Sequence, residues 1–268
     1  MTFDSILIVG CGNMAGAMLR GWLAAGLDPA RFAVSDPFAR ELPQGVRRLE
    51  AVPQDEPFDA VLLGVKPQSL AEVAPQVAPD ARAGTTLLSI LAGVELAVLE
   101  THFPGAGGIV RLMPNLSAAL GKSPIALAAA GLDEAGQHAV TALLAPLGTP
   151  EWIAEADFDL VTALAGSGPA FVYRFIDALA QAATRLGLSG EQAARLALAT
   201  VDGAAALAAA SPHDPGELAR RVASPGGVTQ AGLDALDQGD ALGRLIEATL
   251  RAARDRSAEM AAGARDQG

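Results

Sequence analysis

Ile6-Leu7-Ile8-Val9-Gly10-Cys11-Gly12-Asn13-Met14-Ala15 opens with four strand-forming residues that run directly into G-x-G-x-x-A. A helical pattern continues through Gly16, Ala17, Met18 and Leu19 to Ala25, with Gly26 placed as its stop. In that setting each small residue has a task. Gly10 permits the tight turn, Gly12 lets the main chain approach a pyrophosphate, and Ala15 keeps the helix close to the strand, while free N–H groups at the helix start face the phosphates. The stretch predicts a dinucleotide site on a parallel α/β sheet.

Working outward, β-type runs at 6–9, 32–34, 60–65, 86–90 and 108–112 alternate with Ala- and Leu-rich helical stretches, the rhythm of βαβ units. Strand-like runs end near Trp152, and from Phe158 onward helices follow one another between Gly, Ser and Pro. Phe171, Phe175, Leu179, Ala183 and Leu186 recur at the spacing of one helical face. The expected fold class is therefore α/β, with a dinucleotide-binding domain over 1–152 and an all-α domain over 153–268. The helical half is rich in apolar positions for its size, and its alanine-rich stretch 191–210 permits close helix approach, which predicts burial against a second copy of the chain.

Composition narrows the function. The 268 residues, 51% hydrophobic, suffice for two domains with a sizeable core. A net charge of −11, with no basic run to offset it, opposes nucleic-acid binding. One cysteine, Cys11, excludes an intrachain disulfide, and three histidines at 102, 138 and 213 lack ligand-like spacing, so no metal site is expected. The apolar runs look too interrupted for a membrane span, and the start lacks a basic region before an apolar stretch, so neither a membrane segment nor a secretory signal is expected and a cytoplasmic location is the default.

Other motifs fall where strands end, facing the ligand crevice of an open α/β sheet. Asp36, in Ser35-Asp36-Pro37, is placed to bond an adenosine ribose and favour NADH; Ser35 with Arg40 would instead hold a 2′-phosphate; a plain turn with a solvated aspartate is the third reading. Lys66, in Val65-Lys66-Pro67-Gln68, either meets the nicotinamide ribose or the reacting centre, or is simply solvated. Ser89-Ile90-Leu91-Ala92-Gly93 and Arg111-Leu112-Met113-Pro114-Asn115 close later strands in the same manner. Gly166-Ser167-Gly168-Pro169 sits where a long helix begins or breaks, for close helix contact or for a ligand. Ser224-Pro225-Gly226-Gly227 leads into a helix start at Val228-Thr229, either an anion site on free N–H groups or a capped loop.

Taken in order, these segments resemble the pyrroline-5-carboxylate reductase family over nearly the whole chain. The pairing of Gly166-Ser167-Gly168-Pro169-Ala170 with Ser224-Pro225-Gly226-Gly227 carries the resemblance, joined by Val65-Lys66-Pro67-Gln68, Arg111 with Met113-Pro114-Asn115, and Arg256-Ser257-Ala258-Glu259. The family implies an N-terminal Rossmann-type domain and an all-α dimerisation domain, interlocked with a partner in a homodimer and often built into a larger ring, up to a decamer. It implies that Gly10, Cys11, Gly12, Asn13, Met14, Ser35, Val65, Lys66 and Pro67 hold NADPH or NADH, with Ala92 near the nicotinamide. Ser224, Gly227, Val228 and Thr229 would receive the cyclic imine carboxylate, Thr229 meeting the ring nitrogen as the catalytic residue, and Glu155 matches a family glutamate near the substrate. Where the family commonly has two threonines after the double glycine, Val228 replaces the first.

The implied reaction is hydride transfer to the imine carbon of 1-pyrroline-5-carboxylate, giving L-proline. None of the loop motifs offers a histidine or carboxylate suited to strong general acid work, so catalysis is expected mainly from placement of the two reactants. A related β-hydroxyacid dehydrogenase or imine reductase, and a noncatalytic dinucleotide sensor, are the alternatives.

Overall fold

A computed structural model describes residues 2–39, 41–54 and 56–265; Arg40, one of the candidates for a 2′-phosphate, lies outside them. The chain forms two compact units, Met1–Ser167 with Ala252–Gly268, and Gly168–Arg251.

The first unit is built on an eight-stranded sheet of β1 (Ile6–Val9), β2 (Phe32–Ser35), β3 (Arg47–Leu49), β4 (Ala60–Leu63), β5 (Thr86–Ser89), β6 (Gly108–Met113), β7 (Ser123–Ala130) and β8 (Gly148–Trp152), in the order β3-β2-β1-β4-β5-β6-β7-β8. The first six follow the order of a dinucleotide-binding sheet and run parallel; β7 turns antiparallel to β6, and β8 lies parallel to β7. Strand alternation divides the core in two. Ile6, Ile8, Val34 and Leu62 face α1 (Asn13–Ala24) and α4 (Glu134–Leu144), where Met18, Trp22, Val140 and Leu144 cover them. Leu7, Val9, Val61 and Leu63 face α2 (Leu70–Val77) and α3 (Leu96–His102) on the other side. With helices on both faces, the central strands read as continuous apolar runs.

Three strands, β3, β7 and β8, were not expected from sequence. β3 is short and carries the exposed Arg47 and Arg48 at the sheet edge. β7, Ser-Pro-Ile-Ala-Leu-Ala-Ala-Ala, is alanine-rich, and its pairing with β6 overrides the helical bias of that composition. β4 ends at Leu63 rather than at 65, because Gly64 already leaves the ladder to pack on the glycine loop.

After β8 come α5 (Phe158–Val161) and a π-helical turn over Thr162–Gly166, where Ser167 N donates to Thr162 O at 3.0 Å. Gly166 packs closely here: a methyl placed on it would stand 3.3 Å from Met113 Sδ. The second unit holds α6 (Gly168–Arg185), α7 (Gly190–Ala210), α8 (Pro215–Val222) and α9 (Val228–Asp237). α10 (Ala241–Arg265) starts there and ends in the first unit, where Ser257 Oγ donates to Asp159 Oδ1 at 2.6 Å. Of α6 to α9, only Ala193 and Ala197 are buried, and Leu186 is 89% exposed. The apolar stripe of α6 therefore lacks a core within its own chain. Contrary to the expectation that no span exists, α7 has the length and composition to cross a membrane, with a mean hydropathy of 1.4 over its most apolar window.

Candidate active site

Parallel register brings the predicted cofactor residues to one edge of the sheet. Ser35, Val9, Leu63, Ser89 and Arg111 pair in a single row across β2, β1, β4, β5 and β6, so that the loops beginning at Asp36, Gly10, Gly64 and Ile90 leave side by side. The order reverses between β1 and β4, and at that switch point the backbones close up. A methyl on Gly10, at φ +82°, would lie 2.8 Å from Val65 N. On Gly64 it would lie 2.3 Å from Gly10 O and 2.8 Å from Ala15 Cβ. Gly10, Gly64 and Ala15 thus fix the loop, the strand end and the helix against one another. Gly64 was missed in the sequence reading, although a glycine closing an apolar strand run signals close backbone approach.

Gly12 differs. A methyl there would meet no protein atom, so the main chain presents an open side, and α1 begins at Asn13 with Gly12 as its cap and no side chain on its free N–H groups. An open helix start behind a clear backbone suits a pyrophosphate. Asp36 also has a role that none of its three readings named: its Oδ2 accepts from Cys11 N and its Oδ1 from Phe38 N, both at 2.7 Å. It clamps the glycine loop to the end of β2. Beside it, the Cys11 thiol is pushed above its ordinary value of 9.0 first by burial and then by the negative charge of Asp36, with Arg20 acting in the opposite sense. Lys66 is exposed and has no partner among the described residues.

Ala92 lies on the β5–α3 loop. A cavity of about 330 Å³ lies against Pro67 and Ala92, with the end of α10 as its other wall; it touches none of the glycine loop. Glu155 is tied at the base of this loop, its Oε1 accepting from Leu96 N and from Arg111 Nη1, both at 2.7 Å. The partnership with Arg111 was not anticipated, since 44 residues separate the two.

In the second unit, Ser224-Pro225-Gly226-Gly227 forms a turn in which Gly226 has φ +70° and a methyl on Gly227 would lie 2.3 Å from Ser224 Oγ. Gly226 is required by its left-handed φ, whereas the contact at Gly227 is with a side chain that can rotate. Gly227 caps α9 with no side-chain bond, leaving the first N–H groups of α9 open, whereas Asp133, Ser189 and Asp214 cap α4, α7 and α8 with their own side chains. Val228 is 94% exposed, and Thr229 is exposed in the first turn of α9.

A family model described as pyrroline-5-carboxylate reductase dimerisation matches residues 155–260, and one described as NADP oxidoreductase, coenzyme F420-dependent, matches 5–93. Pyrroline-5-carboxylate reductase from Pseudomonas aeruginosa is 37% identical over 97% of this chain and 98% of its own length. The chain belongs to the pyrroline-5-carboxylate reductase family. The reductase from Aquifex aeolicus is 43% identical over 70% of this chain and 71% of its own. Among solved structures, a reductase from Coxiella burnetii matches with a TM-score of 0.88 at 30% identity, over 97% of this chain and 99% of that one. A Plasmodium falciparum reductase with NADP bound matches at 0.83 and 25% identity, over 97% and 99%. The match to a dimerisation family model over residues 155–260 points to self-association.

Proposed function

We propose that this chain reduces 1-pyrroline-5-carboxylate to L-proline with NADPH or NADH, the closing step of proline biosynthesis. What carries the reading is a full-length match to named reductases in a chain whose two glycine-capped helix starts, at Asn13 and Val228, are both open to an anion.

The cofactor domain expected over 1–152 and the substrate and dimerisation domain expected over 153–268 differ from the two compact units, which divide at Ser167 and return Ala252–Gly268 to the first unit. Gly10, Cys11, Gly12, Asn13 and Met14 receive the pyrophosphate; Ser35 lies at the adenosine end; Val65, Lys66 and Pro67 hold the nicotinamide ribose, with Ala92 beside the ring. When bound, the reduced nicotinamide supplies the hydride that adds to the imine carbon. At the other site, the main chain of Ser224, Gly227 and Val228 holds the carboxylate. Only the N–H of residue 228 is used, which is why valine is tolerated there. The Thr229 hydroxyl orients the ring nitrogen, which gains a proton as the C=N bond becomes C–N. Glu155 stands near the substrate. The dimer interlocks, so α7 meets a second copy rather than a bilayer, dimers assemble into a larger ring, and the enzyme works in the cytoplasm. No observation favours the β-hydroxyacid dehydrogenase alternative, since on α6 Asp177 is tied to Arg174 and Gln181.

Thr229→Ala tests the assignment of the ring nitrogen. The expected loss in kcat/KM corresponds to about 1–3 kcal/mol, the penalty of an unsatisfied hydrogen-bonding group. An unchanged kcat/KM would remove Thr229 from the mechanism.

A further inference from the structure

The loop that carries Ala92 is held at three points. At its start, Ser89 pairs in register with Arg111, and Ser89 Oγ accepts from Leu91 N at 3.3 Å. In its middle, Gly93 takes φ +74°, where a methyl would lie 3.3 Å from Ala261 N of α10. At its far end, Leu96 N, the first donor of α3, is bonded by Glu155 Oε1. That same oxygen accepts from Arg111, whose side chain is 4% exposed and whose guanidinium carbon lies 4.0 Å from the centre of the Phe158 ring. Arg111 is therefore buried, pressed on an aromatic face and anchored in β6, and Glu155 links it to the end of the loop.

We propose that Arg111 and Glu155 are a positioning pair for the nicotinamide end of the cofactor site. Neither needs to touch the cofactor. The strut from β6 through Glu155 to Leu96 N sets the height of the loop, and with it where Ala92 meets the ring; this rests on the placement of Ala92 beside the nicotinamide. Reach, rather than charge, is what the strut requires. Glu155→Gln keeps an oxygen at the same distance from both donors, and Glu155→Asp keeps the charge but withdraws it by one methylene.

The discriminating readout is binding without turnover. Calorimetry compares the affinity for NADP⁺ with that for 2′-phospho-ADP-ribose, which lacks nicotinamide; the ratio isolates the nicotinamide increment. Glu155→Asp is expected to lose most of that increment and to lower kcat by about 10- to 100-fold, the scale of a misplaced reactant, with fragment affinity unchanged. Glu155→Gln is expected to keep the nicotinamide increment within about two-fold of that of the natural enzyme. Should the aspartate variant fail to fold, Arg111→Lys, which shortens the strut from the other side, is expected to lose the same increment. The proposal is overturned if aspartate preserves the increment better than glutamine, or if fragment affinity falls in step with NADP⁺ affinity. Imine reduction by the unsubstituted enzyme is a separate measurement, and its absence would strike the proposed substrate while leaving the binding ratio to decide the strut.

Discussion

Asp36 spends both carboxylate oxygens on main-chain N–H groups beside the end of β2, where an adenosine ribose would lie. Its two effects separate on substitution. Asp36→Ala is expected to weaken binding of both dinucleotides, because Cys11 N loses a charge-assisted acceptor worth about 1.5–3 kcal/mol. It is also expected to shift the ratio of kcat/KM values toward NADPH, because a repulsive charge near the 2′-phosphate has gone. Equal losses for NADPH and NADH would show that Asp36 has no part in cofactor choice. The Cys11 thiol, raised by burial and by Asp36, stays protonated at neutral pH, so iodoacetamide should modify it more slowly than a free thiol at pH 8. A folded-state pKa above the unfolded value gives stability that is complete below that value and is lost as the pH rises through the folded one. The Cys11 contribution should therefore fade only in alkaline solution, above about pH 9.

Among the elements, the join between β1, α1 and β4 depends on three small residues, and two substitutions distinguish packing from binding. Gly64→Ala drives a methyl against Gly10 O and Ala15 Cβ, and urea unfolding should show about 1–3 kcal/mol of lost stability from overpacking. Gly12→Ala meets no protein atom, so its unfolding midpoint should hold while dinucleotide affinity falls. A stable Gly64→Ala, or a Gly12→Ala that binds dinucleotide normally, would contradict this division. The β1–α1 motif was legible in sequence because a strand, a glycine turn and a helix start are all local signals. The close packing of Gly64 and the bond from Cys11 N to Asp36 were not legible, since both depend on a neighbour that only the parallel register supplies. β7 was hidden by its alanines, and Arg111 with Glu155 by separation along the chain.

At the scale of the molecule, the helical half exposes Phe175, Leu179, Leu186, Leu196, Leu198 and Leu207, a pattern that one chain does not satisfy. Light scattering is expected to give a multiple of the chain mass, and Phe175→Asp is expected to shift it toward the monomer and reduce activity; a fully active monomer would refute the role given to this face. Its amphipathic helices were visible in sequence, but not how little they bury alone, because burial depends on the partner. The central claim concerns what the assembled enzyme reduces, and the direct measurement is the loss of NADPH and NADH absorbance, in parallel, on addition of 1-pyrroline-5-carboxylate. Rapid oxidation of at least one, with L-proline formed mole for mole, is the predicted result. A folded protein that oxidises neither would contradict the account.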